Sequence, residues 1–284
     1  MKLVIISGRS GSGKSTALRA LEDAGFNSID NFPVKLLPSL VEDTLADPAR
    51  ADGHYAVCID SRSQHLDTFG DFAASIDRKR ISFQIIFLDA LTGTLVKRFS
   101  ETRRRHPLTN DHTDLLQAIE SEASVLRQIV DLADLSIDTT LMRGSELVEL
   151  IRSRIAQNND HGISVLFRSF GFKFGVPVDA DLVFDLRCLP NPYWEPDLRP
   201  QTGMDAPVIS FLEAQPAVGD MYRDIAGFLE RWIPRFEEDN RAYITIAIGC
   251  TGGQHRSVYM VEKLGKHFTG RKNSVLVRHR ELRS

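Results

Sequence analysis

Apolar positions along the chain fall into short solid runs separated by stretches of helical period. "KLVIIS" (2–7) is apolar on both faces and stops at a glycine, the pattern of a central parallel strand. Behind it, "KSTALRALEDAGF" places Ala17, Leu18, Leu21 and Ala24 on one helical face, with Gly25 as the stop. Further runs at 54–60, 82–90 and 133–138 alternate with helical patterns at 64–78, 91–105, 114–132 and 144–157. Strand alternating with helix predicts a parallel sheet covered on both faces.

The polar stretch 157–162, "QNNDHG", has no period, and the domain boundary is expected there. That gives a P-loop domain over 1–156 and a second α/β domain over 162–284. The second half opens with two strand-like runs, "ISVLFRSFGF" and "ADLVFDLRCL". Four prolines then exclude regular structure over 190–203. Helical patterns follow at 205–214 and 219–239. The strand "AYITIAIG" and a helix from about Ser257 to Phe268 come next, and a short strand closes the chain.

With 284 residues, 42% hydrophobic and 26% charged, the chain has the composition of a globular protein. No run approaches the ~18 apolar residues of a membrane span, and the N-terminus is too short for a signal peptide, so a cytoplasmic protein without membrane contact is expected. Cys58, Cys188 and Cys250 are odd in number and far apart, which does not suggest a disulfide framework. A net charge of −3 leaves nucleic-acid binding to a local basic patch.

"GRSGSGKS" meets every fixed position of G-x-x-x-x-G-K-[ST], between an expected strand and an expected helix. Gly8, Arg9, Ser10, Gly11, Ser12, Gly13, Lys14 and Ser15 should wrap a nucleotide phosphate with backbone N–H groups at a helix N-terminus. Lys14 should reach the β- and γ-phosphates, and Ser15 should ligate Mg²⁺. The acid of the magnesium site should end a neighbouring strand. Asp60 is preferred and Asp89 is the alternative. Arg103, Arg104 and Arg105 form either a phosphate-stabilising cluster or a solvated helix end. Asp30 either orients a ligand or merely ends a strand.

A second candidate site is "GCTGGQHRS" (249–257). Cys250 and Arg256 have the spacing of cysteine-dependent phosphatases, and "WEPD" (194–197) approximates their acid loop. Against that reading, Gly249 stands where such enzymes usually carry a histidine. Strand, glycine-rich turn, Arg256 and helix also make an anion cradle without covalent chemistry, with His255 adding a contact. The last 19 residues carry Lys266, Arg271, Lys272, Arg278, Arg280 and Arg283, either a solvated terminus or a contact for RNA phosphates.

The stretches "SGRSGSGKSTALRALEDAGF", "DNFPVKLLPSL", "SETRRRHPL", "SFGFKFGVPVDADLVFDLRCLPNPYW" and "AIGCTGGQHRSVY" resemble the RapZ/YvcJ family of bacterial nucleotide-binding proteins over nearly the whole chain. The resemblance implies a kinase-like P-loop domain that binds ATP and GTP with Mg²⁺ and hydrolyses them slowly, Lys14, Ser15 and Asp60 acting. It implies a second domain that binds glucosamine-6-phosphate and small regulatory RNA, presents the RNA to RNase E, and assembles as a tetramer. Nucleotide contacts carry over to Gly8–Ser15 and to Asp60, Ser61, Arg62 and Ser63, where Ser63 replaces the family's asparagine. Sugar-phosphate contacts carry over to Thr251, Gly252, Gly253, His255 and Arg256. Tyr193 stands where enteric members have histidine, and the tail lacks their terminal Lys/Arg run. A nucleotide-driven switch or small-molecule kinase without an RNA role is the alternative, and a phosphatase at Cys250 and Arg256 comes after it.

Overall fold

The computed structural model describes residues 1–48, 50–102, 105–109, 112–156, 163–239, 241–269 and 274–282. The chain forms two compact units, Met1–Asp160 and His161–Ser284. The stretch 157–162 expected to hold the boundary lies outside the described residues.

In the first unit β1 (Lys2–Gly8) leads to α1 (Lys14–Glu22) and β2 (Asn27–Ile29). Then follow α2 (Leu37–Ala46), β3 (His54–Cys58), α3 (Phe69–Ser75), β4 (Ser82–Asp89), α4 (Thr92–Thr102), α5 (Leu115–Val125), α6 (Arg127–Asp131), β5 (Leu135–Asp138) and α7 (Gly144–Ile151). The five strands lie in the order β2-β3-β1-β4-β5, all parallel. As the apolar run predicts, β1 is central and buried at every position. One face of the sheet, with Leu3, Ile5, Val57, Phe83 and Ile85, packs under Val34, Leu37, Phe72 and Ile129. The expected helix at 114–132 is two helices. Leu126, fully buried at φ −90°, ψ 1°, separates α5 from α6. The end of the 144–157 pattern widens into a π-helix over Arg152–Ala156.

In the second unit β6 (Ser164–Gly171) and β7 (Leu182–Asp185) precede α8 (Ala206–Glu213) and α9 (Pro216–Glu238). They are followed by β8 (Tyr243–Cys250), α10 (Arg256–Phe268) and β9 (Val275–His279). The sheet order is β7-β8-β6-β9, again parallel throughout. Solid burial of β6 and β8 follows from their central places. Val165, Phe167, Ile244, Ile246 and Ile248 share a core with Leu229 and Ile233 of α9 and Met260 and Leu264 of α10. Each unit thus carries a strand–loop–helix junction at the C-terminal end of a central strand, where ligands of open α/β sheets bind.

Candidate functional site

The first junction joins β1 to α1. Gly8 has φ +148°, and a Cβ there would fall 2.1 Å from the carbonyl oxygen of Leu88, so only glycine lets β1 turn against β4. The first bonds of α1 run from Thr16 and Ala17 N–H to Gly13 O, which leaves the N–H groups of Lys14 and Ser15 in the donor-rich first turn. Lys14 Nζ donates to Gly8 O at 2.6 Å, a contact that a phosphate oxygen can replace.

The loop is braced from several sides. Arg9 donates Nε to Asp89 (2.7 Å), Nη1 to Thr92 Oγ1 (3.2 Å) and Nη2 to Ala90 O (2.5 Å). Arg98 on α4 donates to Gly11 O (2.9 Å) and to Thr139, and Thr139 Oγ1 donates to Ser12 O (2.9 Å). Burial pulls the Arg98 guanidinium below its usual range, against the nearby charges of Asp138 and Glu101. Ser10 donates its N–H and its hydroxyl to Glu122 of α5, both at 2.7 Å.

The two candidate magnesium acids differ in surroundings. Asp89 is occupied by Arg9 and by its own following N–H, from Ala90. Asp60 takes the N–H of Arg62 on one oxygen and the Arg62 guanidinium on the other. Burial opposes its charge. The Arg62 donors and the charge of Lys14 outweigh burial and hold the carboxyl below its ordinary value. Asp60 thus shares a field with the P-loop lysine. The oxygen donors of Ser15 and Asp60 fit a hard cation such as Mg²⁺, which takes its remaining ligands from phosphate and water. Among the described residues no group of three or more His, Cys, Asp or Glu side chains forms a metal cage.

Ser61 Oγ donates to Glu122 (2.7 Å), and Ser63 Oγ accepts from Val34 N–H (3.4 Å), so both serines are engaged within the fold. Arg103 and Arg104 lie outside the described residues. Arg105 Nε donates to Thr109 Oγ1 (3.3 Å).

The second junction joins β8 to α10. Cys250 Sγ accepts from Gly253 N–H (3.2 Å) and lies 3.2 Å from Ser257 Oγ. Burial alone would raise this thiol. Donors from Ser257 and Gly253, with the Arg256 charge, bring it below its usual range. Arg256 is 4% exposed. Its Nη1 donates to the carbonyls of Leu186 (3.4 Å), Arg187 (3.2 Å) and Leu189 (2.8 Å), and its Nη2 reaches Thr251 Oγ1 (3.4 Å). Its buried Nε has no partner. His255 Nε2 lies 3.2 Å from Leu198 O, and burial lowers its pKa, keeping the ring neutral against the pull of the backbone carbonyls. His255 and Arg256 thus hold segment 186–198 against the loop, leaving Thr251 exposed and Gly252 half-buried at the surface while Gly253 is buried. Lys173, exposed beside the loop, donates its N–H to Thr251 O (3.3 Å) and places its ammonium 4.6 Å from the Phe174 ring. Lys173 falls within the family-like stretch 169–194, but only the sheet shows that the end of β6 lies next to Thr251.

Of the basic residues near the C-terminus, Arg271, Lys272 and Arg283 lie outside the described residues. Lys266 is exposed on α10 and Arg278 is half-buried in β9 beside Arg168. Arg280 is directed inward. It donates to Gly171 O (3.1 Å), Gly175 O (2.8 Å) and Glu281 (2.7 Å). Tyr193 is half-exposed, with the Arg199 guanidinium 4.8 Å from its ring.

Comparison with known proteins accounts for both units. The model of the RapZ-like N-terminal domain matches residues 1–159, and that of the RapZ C-terminal domain matches 163–283. A nucleotide-binding protein of Pseudomonas putida strain GB-1 is 54% identical over 99% of this chain and 100% of its own length. A nucleotide-binding protein of Pseudomonas fluorescens strain SBW25 is 53% identical over the same shares. Among solved structures, an unliganded sugar kinase from Janibacter is similar over 54% of this chain and 93% of that chain, at 18% identity and a TM-score of 0.37.

Proposed function

Because the chain belongs to the RapZ family, we propose that it is a nucleotide-binding regulatory adapter that senses an amino sugar phosphate and presents small RNA to a nuclease of the RNase E type. The observation that carries the reading is the pairing of two anion-binding junctions in one chain. The P-loop, with Lys14, Ser15 and Asp60, takes ATP or GTP with Mg²⁺ and turns them over slowly. The loop Thr251–Gly253, flanked by His255 and Arg256, takes the phosphate of glucosamine-6-phosphate. RNA phosphates are met by Lys266 and Arg278 and by Arg271, Lys272 and Arg283. The protein works in the cytoplasm as a homo-oligomer, by resemblance a tetramer.

A nucleotide-driven switch with no RNA role is the second reading, favoured by one observation: Arg280 spends its donors on the protein itself. The test is RNA retention by the full chain as salt is raised, with and without glucosamine-6-phosphate, beside a variant carrying Lys266→Ala and Arg278→Ala. The adapter reading expects retention that falls with salt and responds to the sugar. It also expects a salt slope shallower by about one for each phosphate-binding cation replaced by alanine. Absence of retention at low salt would leave the switch. A phosphatase at Cys250 requires phosphate release that Cys250→Ser abolishes.

A further inference from the structure

Glu122 is a fully buried carboxylate on the apolar face of α5, between Ala118, Ile119 and Leu126. Four donors meet it. Ser10 N–H and His106 Nε2 reach Oε2 at 2.7 and 3.1 Å, and the hydroxyls of Ser10 and Ser61 reach Oε1, both at 2.7 Å. His106 Nδ1 accepts from Leu108 N–H (3.2 Å), which leaves the proton of the neutral ring on Nε2, facing the carboxylate.

These donors come from three separate segments around the nucleotide site. Ser10 is the third residue of the P-loop. Ser61 follows Asp60. His106 begins the turn His106–Thr109, closed by Thr109 N–H to His106 O (3.1 Å). The Phe99 ring closes the arrangement, 5.1 Å from the His106 ring and 3.4 Å from where a Cβ on Gly11 would sit. The capping box of Asp114 and Gln117 fixes the start of α5 and with it the height of Glu122.

An acid behind a polyphosphate site is unfavourable by Coulomb's law alone, so its charge does not explain its presence. Its hydrogen bonds do. Holding the Ser10 N–H and the Ser61 hydroxyl on one rigid group fixes the curl of the loop and its distance from Asp60.

We propose that Glu122 is a positioning residue of the nucleotide site, setting the P-loop and the Asp60 loop in register for a nucleoside triphosphate through the hydrogen bonds of its carboxylate to Ser10, Ser61 and His106. The proposal rests on the reading that the P-loop holds the nucleotide.

Glutamine can reproduce this network without charge. Its oxygen takes the two N–H groups at the Oε2 position, and its amide donates to the two serine hydroxyls, which rotate to accept. Alanine leaves all four donors without their acceptor. The experiment is calorimetric titration of full-length wild type, Glu122→Gln, Glu122→Ala, the double variant Ser10→Ala/Ser61→Ala and Lys14→Ala with Mg·ATP, each beside its melting temperature. The expected result is affinity near wild type for Glu122→Gln, and a loss of about tenfold or more for the folded fraction of Glu122→Ala. The double serine variant, which keeps Glu122 and the backbone donor, should fall between them. Wild-type affinity in folded Glu122→Ala, or in the serine variant should Glu122→Ala not fold, overturns the proposal. So does an equal change in Gln and Ala variants, which would make the charge the cause. Wild-type affinity in Lys14→Ala instead overturns the P-loop reading itself.

Discussion

The hydroxyl of Ser257 lies 3.2 Å from the sulfur of Cys250, and Gly253 N–H donates to the same sulfur. The loop between β8 and α10 is therefore built around a thiol that its own donors favour as thiolate. The folded-state pKa lies below the usual 9.0, although burial works the other way. A thiol depressed by folding adds stability as pH rises through its folded pKa, reaches its full effect above about 9, and loses it as pH falls back. The stability of wild type minus that of Cys250→Ser should rise with pH in that window and level off beyond it. Ser257→Ala should move the rise toward 9, followed by thiolate absorbance. A flat difference would mean that folding leaves the pKa of this thiol unchanged, and a falling one that the thiol stays protonated.

Cys58, at the end of β3, behaves in the opposite sense. Burial, reinforced by Asp30 and Asp60 and opposed by Lys14, pushes its thiol up to about 12. Between 9.0 and about 12 the unfolded chain ionises this thiol and the folded chain does not, so stability falls as pH rises. Relative to Cys58→Val, wild type should lose up to about 1.4 kcal/mol per pH unit across that window. Below pH 9 the two should run parallel in denaturant melts.

Asp60, just past β3, and Asp89, at the end of β4, lie on the two strands that flank β1 but are put to different use. Asp89 holds Arg9, whose side chain is only 10% exposed. Asp89→Asn should cost about 1–3 kcal/mol of stability by leaving that guanidinium under-paired. Asp60→Asn should weaken the magnesium dependence of nucleotide binding, which Asp89→Asn should leave unchanged. Chemical denaturation and titration with nucleotide, with and without Mg²⁺, separate the two. Equal loss of magnesium dependence in both variants would put Asp89 back in the site.

How far the sequence reaches depends on the range of the forces involved. Solid apolar runs identify β1, β4, β6 and β8 because both faces of a central parallel strand are covered, a property written into consecutive residues. The P-loop is legible for the same reason: its glycines and Lys14 act within eight positions. α2 carries no strong motif and escapes a reading by pattern. The break at Leu126 is hidden because the apolar period continues across it from α5 into α6. Glu122 does offer a legible signal, a carboxylate in register with Ala118, Ile119 and Leu126 on a buried face. Lys173 lies in a family-like stretch, but its place beside Thr251 and the inward turn of Arg280 are not legible, since each depends on which strand end lies next to which. Arg280 counts as a basic-tail residue by composition, but its donors close the Gly171–Gly175 turn.

Gly249 shows how packing decides what a motif can do. A Cβ at this position would lie 2.4 Å from the Phe170 ring and 2.5 Å from the Phe172 ring. Those rings pack at a tilt of 56° with centroids 4.7 Å apart, and the Arg187 guanidinium lies 3.8 Å from the centre of the Phe172 ring. A histidine in the place that phosphatases give one has no room, so the thiol is tuned by Ser257, Gly253 and Arg256 instead. Gly249→Ala should force the rings apart at a cost of about 1–3 kcal/mol and displace Arg187 with them. Gly252→Ala is the contrasting variant. Its Cβ would meet nothing closer than Lys173 Nζ at 4.0 Å, so stability should stay near wild type. The added methyl would instead stand at the exposed rim of the loop and weaken binding of inorganic phosphate. Denaturant midpoints and phosphate titrations of the two variants should therefore diverge: stability falls in the first, anion affinity alone in the second. A Gly249→Ala protein as stable as wild type would remove ring packing as the reason for glycine.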